Sequence, residues 1–291
     1  MKLNLSKLSS LIFKDQNTVV SGFDYLEVSK INKKTKKSVY WLKSLDFYEK
    51  FDNCFLVLDS LTFSEIHEQK IFNETISHLI SIDNVTPRLA YSILLNECLE
   101  KKVMFDETKK HKKNKKIKIH GSVFIFNDVE IGDGTIIYPN VVIHQGVRIG
   151  KNCIIRENSS LGTTGMGFEK DLNGNWFHFP QVGGLLIGDD VEIGSHSDIK
   201  RGAIDDTVLG NNCKLGSYIN IGHNCVIGNN CLFTNQCVVS GSVKIGNNFF
   251  MGVNSSIRNG VKIGNDVTVA ANVFVNKDVE DGTLTFGVSK K

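Results

Sequence analysis

The residues best suited to proton transfer stand together in Ile221-Gly222-His223-Asn224. An imidazole titrates near neutral pH and serves as a general base. Such a base matters where an amine attacks a thioester, because the incoming ammonium must lose its proton. Asn224 is placed to hold the ring or a donor. Upstream, Asp205-Asp206 can orient an imidazole or bind an amine. Spacing alone leaves His223 equally open to a plain surface role.

These residues are carried by a repeat. Counting every sixth residue from Leu209 gives Leu215, Ile221, Ile227, Phe233, Val239, Ile245, Met251, Ile257, Ile263, Val269 and Val275, all apolar. A helix repeats at 3.6 residues and a strand at 2, so a strict six means one short strand plus one corner. Glycine often follows the apolar residue, as at Gly210, Gly216, Gly222 and Gly228, and suits crowded or positive-φ corners. The Asn pairs beginning at Asn211, Asn229 and Asn247 suit turns in the same way. The same spacing runs from Ile119 to Leu161 and resumes at Ile187, Ile193 and Ile199. Ile204 and Leu209 follow at spacings of five, which predicts one tighter coil. Such hexads are the signature of a β-solenoid, with each face one strand and roughly eight coils.

Composition narrows the function classes. Hydrophobic residues make up 41% and charged residues 22%, ordinary for a soluble protein. A net charge of +3, without helix-turn-helix or zinc-finger spacing, argues against nucleic acid. Five of the seven cysteines (Cys153, Cys213, Cys225, Cys231 and Cys237) fall four residues after an inward apolar residue. There they read as small hydrophobes in a ladder. With no Cys-x-x-Cys, no metal site is expected. The cysteine usage, the short apolar content of the N-terminus and the lack of a span-length apolar run predict a cytoplasmic protein without a transmembrane segment.

Residues 1–105 lack the hexad and read as a small α/β domain. Its strands fall at 38–42 and 53–60, near-helical spacing runs from Ser64 to Ser81, and a helix follows Thr86-Pro87. Residues 106–118 form a basic linker, solvated or attractive to an anionic donor. The solenoid occupies 119–280 and residues 281–291 form a tail. A long insertion at 162–186 carries Phe168, Trp176, Phe177 and Phe179, which points to an active-site or interface loop.

The segments Gly165–Phe168, Phe179-Pro180-Gln181 with Gly183, Ile187–Gly194, Arg201–Ala203, Asp205–Gly210 and Ile221–Asn224 together resemble the UDP-3-O-acylglucosamine N-acyltransferases of lipid A synthesis. The resemblance implies a mainly β fold, a left-handed parallel β-helix of hexapeptide repeats with a small N-terminal α/β domain. It also implies a homotrimer with clefts between neighbouring β-helices, and His223 as the general base. Trp41 and Phe47 match the spacing of the family's uracil-stacking aromatics, with Ser44 in place of an asparagine between them. Departures are equally specific. Gly216 and Lys200 stand where the family has aspartates, and a second family histidine falls at about Gly260. The ending, Ala270-Ala271-Asn272 and then Phe286-Gly287-Val288-Ser289-Lys290, resembles nucleotide-sugar N-acyltransferases that use coenzyme A.

The expected activity is acyl transfer from a thioester, acyl-CoA or acyl-ACP, to the amino group of a nucleotide-linked amino sugar for surface glycan synthesis. The alternatives are the lipid A N-acyltransferase itself and a non-catalytic trimeric β-helix. No permanently bound cofactor is expected. Substrate contacts are expected from Asn224, Trp41, Phe47, Phe168, Phe179, Gln181 and Asp205, and donor contacts from Gly241, Ala270, Ala271 and Lys290.

Overall fold

A computed structural model describes residues 2–4, 25–27, 39–41, 55–58, 64–65, 77–80, 86–98, 116–171 and 173–287 of the chain. They fall into two compact units, one of residues 1–103 with 167–180 and one of 104–166 with 181–291. The division cuts through the 162–186 insertion, so residues 167–180 belong with the N-terminal residues rather than with the solenoid.

In the first unit, strands Val39–Trp41, Phe55–Leu58 and Ser77–Ile80 form a parallel sheet in that order, and Lys2–Asn4 pairs antiparallel with Tyr25–Glu27. The strand at Ser77–Ile80 overturns the helical expectation for the end of the 64–81 stretch. There the backbone pairs with Phe55–Leu58, and tertiary pairing overrides local periodicity. The helix Pro87–Cys98 starts where Thr86 caps it: Thr86 Oγ1 accepts from Leu89 N–H at 3.1 Å. A hairpin of Phe168–Lys170 and Trp176–His178 completes the unit. Phe179 is buried and stacks on Tyr91 at 6.2 Å, with the Arg88 guanidinium 4.9 Å above its ring. Arg88 also pairs with Glu169, and Ser92 Oγ donates to His178 O.

The second unit is the solenoid, mainly β, with three parallel sheets of eight, seven and nine strands among the described residues. The longest sheet has nine strands where the hexad count predicts about eight coils, because Leu284–Thr285 adds a strand beyond the last counted hexad at Val275. Ile221 pairs with Val239, Ile227 with Ile245 and Phe233 with Met251, so each regular coil takes eighteen residues. The hexad residues form the core. Ile221, Val239, Met251 and Ile257 are fully buried, and Phe233 packs on Phe249 at 5.4 Å between ring centres.

Corners have a fixed chemistry. A left-handed residue recurs every six positions at Asn212, Tyr218, Asn224, Asn230, Gln236, Ser242, Asn248 and Asn254. Of the two roles expected for the glycines that follow the inward residues, crowding holds and positive φ does not. They lack positive φ, but a Cβ at Gly228 would lie 2.6 Å from Gly246 O on the next coil. Glycine is needed there for close approach. The first asparagine of each pair ties coils together. Asn229 Oδ1 accepts from Asn211 N–H at 2.8 Å, Asn247 Oδ1 from Asn229 N–H at 2.8 Å, and Asn265 Oδ1 from Asn247 N–H at 2.9 Å.

Two coils depart from the rule. Leu161 pairs with Ile199, 38 residues on, and Ile199 with Ile221, 22 residues on. The first enlargement is the 162–186 insertion. The second corrects the expected tight coil: the chain bulges outward over Arg201–Asp206, and Ile204 is only half-buried. Its apolar side chain imitates an inward residue in the sequence, while the backbone has four residues to spare.

The five solenoid cysteines are buried free thiols. Burial pushes the Cys225 thiol up from an ordinary 9.0 to about 11. The unfolded chain therefore ionises first as pH rises. The stabilisation is full below pH 9 and is lost as pH climbs through about 11, roughly 3 kcal/mol for this thiol. Urea titrations between pH 8 and 11 are expected to show that decline, and Cys225→Ala is expected to make it shallower, with the part due to the raised Cys153, Cys231 and Cys237 thiols remaining. An unchanged slope in that variant refutes the assignment.

Candidate active site

The two irregular coils pack against each other, and His223 stands beside them. The returning end of the insertion is stitched to the bulge: Val182 N–H donates to Ala203 O at 2.7 Å, and Gly202 N–H to Gly184 O at 3.0 Å. Asp206 Oδ1 accepts from Gly184 N–H at 2.7 Å, and buried Arg201 donates through Nε to Gly183 O at 2.7 Å. Burial lowers the Arg201 pKa, with Asp206 opposing.

Asn224 reads this arrangement out to the imidazole. It occupies a left-handed corner at φ 58°. Its N–H donates to Thr207 Oγ1 at 2.9 Å and its Nδ2 to Asp205 O at 3.1 Å. Its Oδ1 accepts from Ala203 N–H at 3.0 Å and lies 2.9 Å from His223 Nδ1. The backbone partners fix which end of the amide is oxygen. An oxygen facing Nδ1 requires the proton on Nδ1, so Nε2 carries the lone pair. Among the described residues Nε2 has no hydrogen-bond partner. The half-buried imidazole is thus held as a base with its basic nitrogen open.

Two glycines flank the ring. A Cβ on Gly241, one coil further on, would come within 2.7 Å of Nε2. A Cβ on Gly165 would lie 2.9 Å from Cδ2. The Gly241 N–H is unpartnered among the described residues, which leaves a backbone donor beside the open nitrogen. Gln181, 7% exposed, accepts through Oε1 from Gly165 N–H at 2.6 Å. The arrangement offers a positioned base and, on the neighbouring coil, a backbone donor of the kind that steadies a developing oxyanion.

The other expected site residues distribute unevenly. Gln181, Asn224 and Gly241 gather around His223. Asp205 contributes its backbone carbonyl to Asn224, and its carboxylate does not orient the ring; the Asn224 oxygen does so. Ala270 and Ala271 follow strand Thr268–Val269 of the nine-stranded sheet, at a different corner from His223, which follows Asn220–Ile221 of the eight-stranded sheet. Phe179 is 1% exposed, so its ring packs the first unit and offers no surface to a substrate. Phe168, 37% exposed, belongs to the hairpin and meets the His178 ring edge at 5.3 Å. Trp41 ends a strand of the first unit, and Phe47 and Lys290 lie outside the described residues.

Of the positions where aspartates were expected, Lys200 donates to Asp198 Oδ2 at 2.5 Å, and Asp198 also accepts from Thr163. Gly216 sits at the corner after Lys214–Leu215, in the nine-stranded sheet. His144, three coils below His223, is held below its ordinary pKa by burial first and by the Arg201 charge second, with Asp198 opposing. Sequence reasoning missed Thr207 and Gly165. Thr207 had a signal, a polar residue at an inward position; it is fully buried. Among the described residues no cluster of three or more His, Cys, Asp or Glu side chains can hold a metal ion.

Gly241→Ala places a methyl group against Nε2. Carbethoxylation of His223 by diethyl pyrocarbonate is expected to slow by roughly tenfold or more, equivalent to at least about 1.4 kcal/mol, with no change in the circular dichroism spectrum. An unchanged rate at His223, read by peptide mapping, contradicts the open-nitrogen geometry.

Residues 128–163 and 206–241 match the family model for the bacterial transferase hexapeptide (six repeats), and residues 242–277 match the hexapeptide repeat of succinyl-transferase. The UDP-3-O-acylglucosamine N-acyltransferase of Polynucleobacter asymbioticus is 38% identical over 116 residues, 39% of this chain and 33% of that protein. Its counterpart in Pseudomonas syringae pv. tomato is 46% identical over 93 residues, 32% of this chain and 26% of that protein. The matched stretch thus spans about a third or less of the length of these relatives. A solved UDP-N-acetylglucosamine acyltransferase from Campylobacter jejuni is 25% identical, with 57% of this chain and 70% of that one covered and a TM-score of 0.42. Residues 128–163, 206–241 and 242–277 thus resemble the hexapeptide repeats of bacterial transferases.

Proposed function

We propose that the protein is an N-acyltransferase that moves an acyl group from a thioester to the amine of a nucleotide-linked amino sugar. The observation that carries this reading is the Asn224 lock on His223, which leaves Nε2 as an open base. His223 Nε2 takes a proton from the attacking amine as its nitrogen bonds to the thioester carbonyl carbon. The carbonyl oxygen becomes an oxyanion, and the Gly241 N–H is its donor. Collapse breaks the carbon–sulfur bond, and the proton on Nε2 passes to the departing sulfur. An amide and a free thiol result.

The names of the relatives favour UDP-3-O-acylglucosamine as the acceptor, and so a place in lipid A synthesis, over a broader sugar-modifying role. The C-terminal resemblance to coenzyme A enzymes supports the broader role instead, so the donor is acyl-CoA or acyl carrier protein according to which reading holds. The first unit, with its parallel sheet, is the candidate holder of the nucleotide. A homotrimer is supported by outward apolar side chains on the nine-stranded sheet: Leu232 and its neighbour Phe250 are each 39% exposed, and Leu284, beyond Thr268, is 57% exposed. No helix among the described residues is long and apolar enough to cross a membrane.

The test is thiol release from acyl-CoA or 3-hydroxyacyl carrier protein, offered with a panel of UDP- and dTDP-linked amino sugars. Turnover of UDP-3-O-acylglucosamine with the carrier protein is expected. Turnover only with acyl-CoA and another amino sugar selects the sugar-modifying reading. His223→Ala is expected to lower kcat by roughly 10²–10⁴-fold. Unchanged turnover in that variant removes His223 as the base, and no turnover with any pair leaves the non-catalytic reading.

A further inference from the structure

The carboxamide of Gln181 carries an unexplained donor. Its residue is 7% exposed, and its Oε1 is committed to the Gly165 N–H at 2.6 Å. A backbone N–H can only donate, so the oxygen must face Gly165 and the orientation of the amide is settled. Nε2 is therefore turned the other way, and among the described residues it has no hydrogen-bond partner. That nitrogen is not sealed off: among the described residues the fully buried side-chain N or O atom without a partner is Thr285 Oγ1, so the open Gln181 donor can meet a ligand, and its direction calls for an explanation.

Its position supplies one. The point where a Gly165 Cβ would sit is 3.0 Å from Gln181 Nε2 and 2.9 Å from His223 Cδ2. The absent side chain of Gly165 thus opens a small space bordered by the unmatched donor and by the edge of the imidazole. Gly241 borders the same ring on its Nε2 side. An amine delivered to Nε2 brings its neighbouring substituents along the ring edge toward Cδ2. In an amino sugar, the carbon next to the amine-bearing carbon carries an oxygen.

We propose that Gln181 is a two-armed positioning residue: its oxygen clamps the root of the insertion at Gly165, and its Nε2–H donates to the acceptor oxygen next to the reacting amine. The second arm rests on the acyl-transfer reading above. The first arm is a property of the fold alone. The pair makes the two roots of the insertion, at Gly165 and Gln181, part of the acceptor site, since the residue that clamps them also measures the distance from amine to oxygen. An acceptor without an oxygen at that place leaves the donor unmatched and is selected against.

Two variants separate the arms. Gln181→Glu keeps an acceptor for Gly165 N–H and, ionised, loses the donor; Gln181→Met loses both. Amide hydrogen exchange at Gly165 is expected to stay slow in the wild type and in Gln181→Glu, and to accelerate at least tenfold in Gln181→Met. Acylation is then compared for UDP-3-O-acylglucosamine and an analogue with a methylene in place of the 3-oxygen. The wild type is expected to prefer the natural acceptor in kcat/KM by roughly tenfold or more. Gln181→Glu is expected to treat the two alike. If Gln181→Glu keeps the wild-type preference, the donor arm is overturned. If Gly165 exchanges equally fast in all three proteins, the clamp is overturned. If the wild type acylates neither compound, the acyl-transfer reading fails for this acceptor and the donor arm falls with it, while exchange at Gly165 still decides the clamp.

Discussion

Closure of an eighteen-residue coil depends on a left-handed residue at each corner. Residues other than glycine resist that conformation by about 1–2 kcal/mol each, asparagine least among them. The solenoid accepts the cost at every sixth residue from Asn212 to Asn254 because stacking returns it elsewhere. Parallel pairing in register puts like residues in columns. Inward columns fill the prism with apolar side chains, and corner columns let asparagine side chains bond from coil to coil. One conformational demand, repeated, thereby fixes the core, the corners and the spacing between coils.

The active-site candidate uses the same corner in a different way. Asn224 is one more left-handed asparagine in the column of angles, but its side chain does not join a ladder. Two successive coils carry extra residues there, and their backbone groups at Ala203 and Asp205 occupy both ends of its amide. The regular rod provides the rigid corner. The irregular coils provide backbone partners that no regular coil offers. Preorganisation of His223 is thus a product of a defect placed on an otherwise repetitive frame, as expected where local rules fail at functional sites.

This also explains what could be read in advance. Inward positions such as Ile221 and Phe233 were legible because each depends only on its own hexad. The role of the glycines stayed open between crowding and positive φ, because close approach between coils concerns residues eighteen apart and leaves no local mark. Ile204 misled because an apolar type at a spacing of five imitates the core, and only pairing of Ile199 with Ile221 reveals the bulge. His223 was legible as a residue type next to Asn224. Its tautomer was not, since that follows from which backbone groups grip an amide. Gln181 was legible as a site residue, whereas the direction of its amide depends on Gly165, sixteen residues away in sequence.

The neutral partner of His223 has chemical consequences. A carboxylate beside Nδ1 stabilises the imidazolium and makes Nε2 more basic; a carboxamide orients the ring without adding a charge. Asp205 stands close enough for its carbonyl to hold Asn224, yet its carboxylate takes no part in that contact. The orienting group here is therefore one that fixes direction more than basicity. That suits a nucleophile which is potent once neutral, such as an amine, because the base has only to remove a proton that leaves readily near neutral pH. An alcohol nucleophile would ask far more of the same imidazole. On the acyl-transfer reading proposed above, asparagine rather than a carboxylate at this corner fits an amine better than an alcohol as the nucleophile.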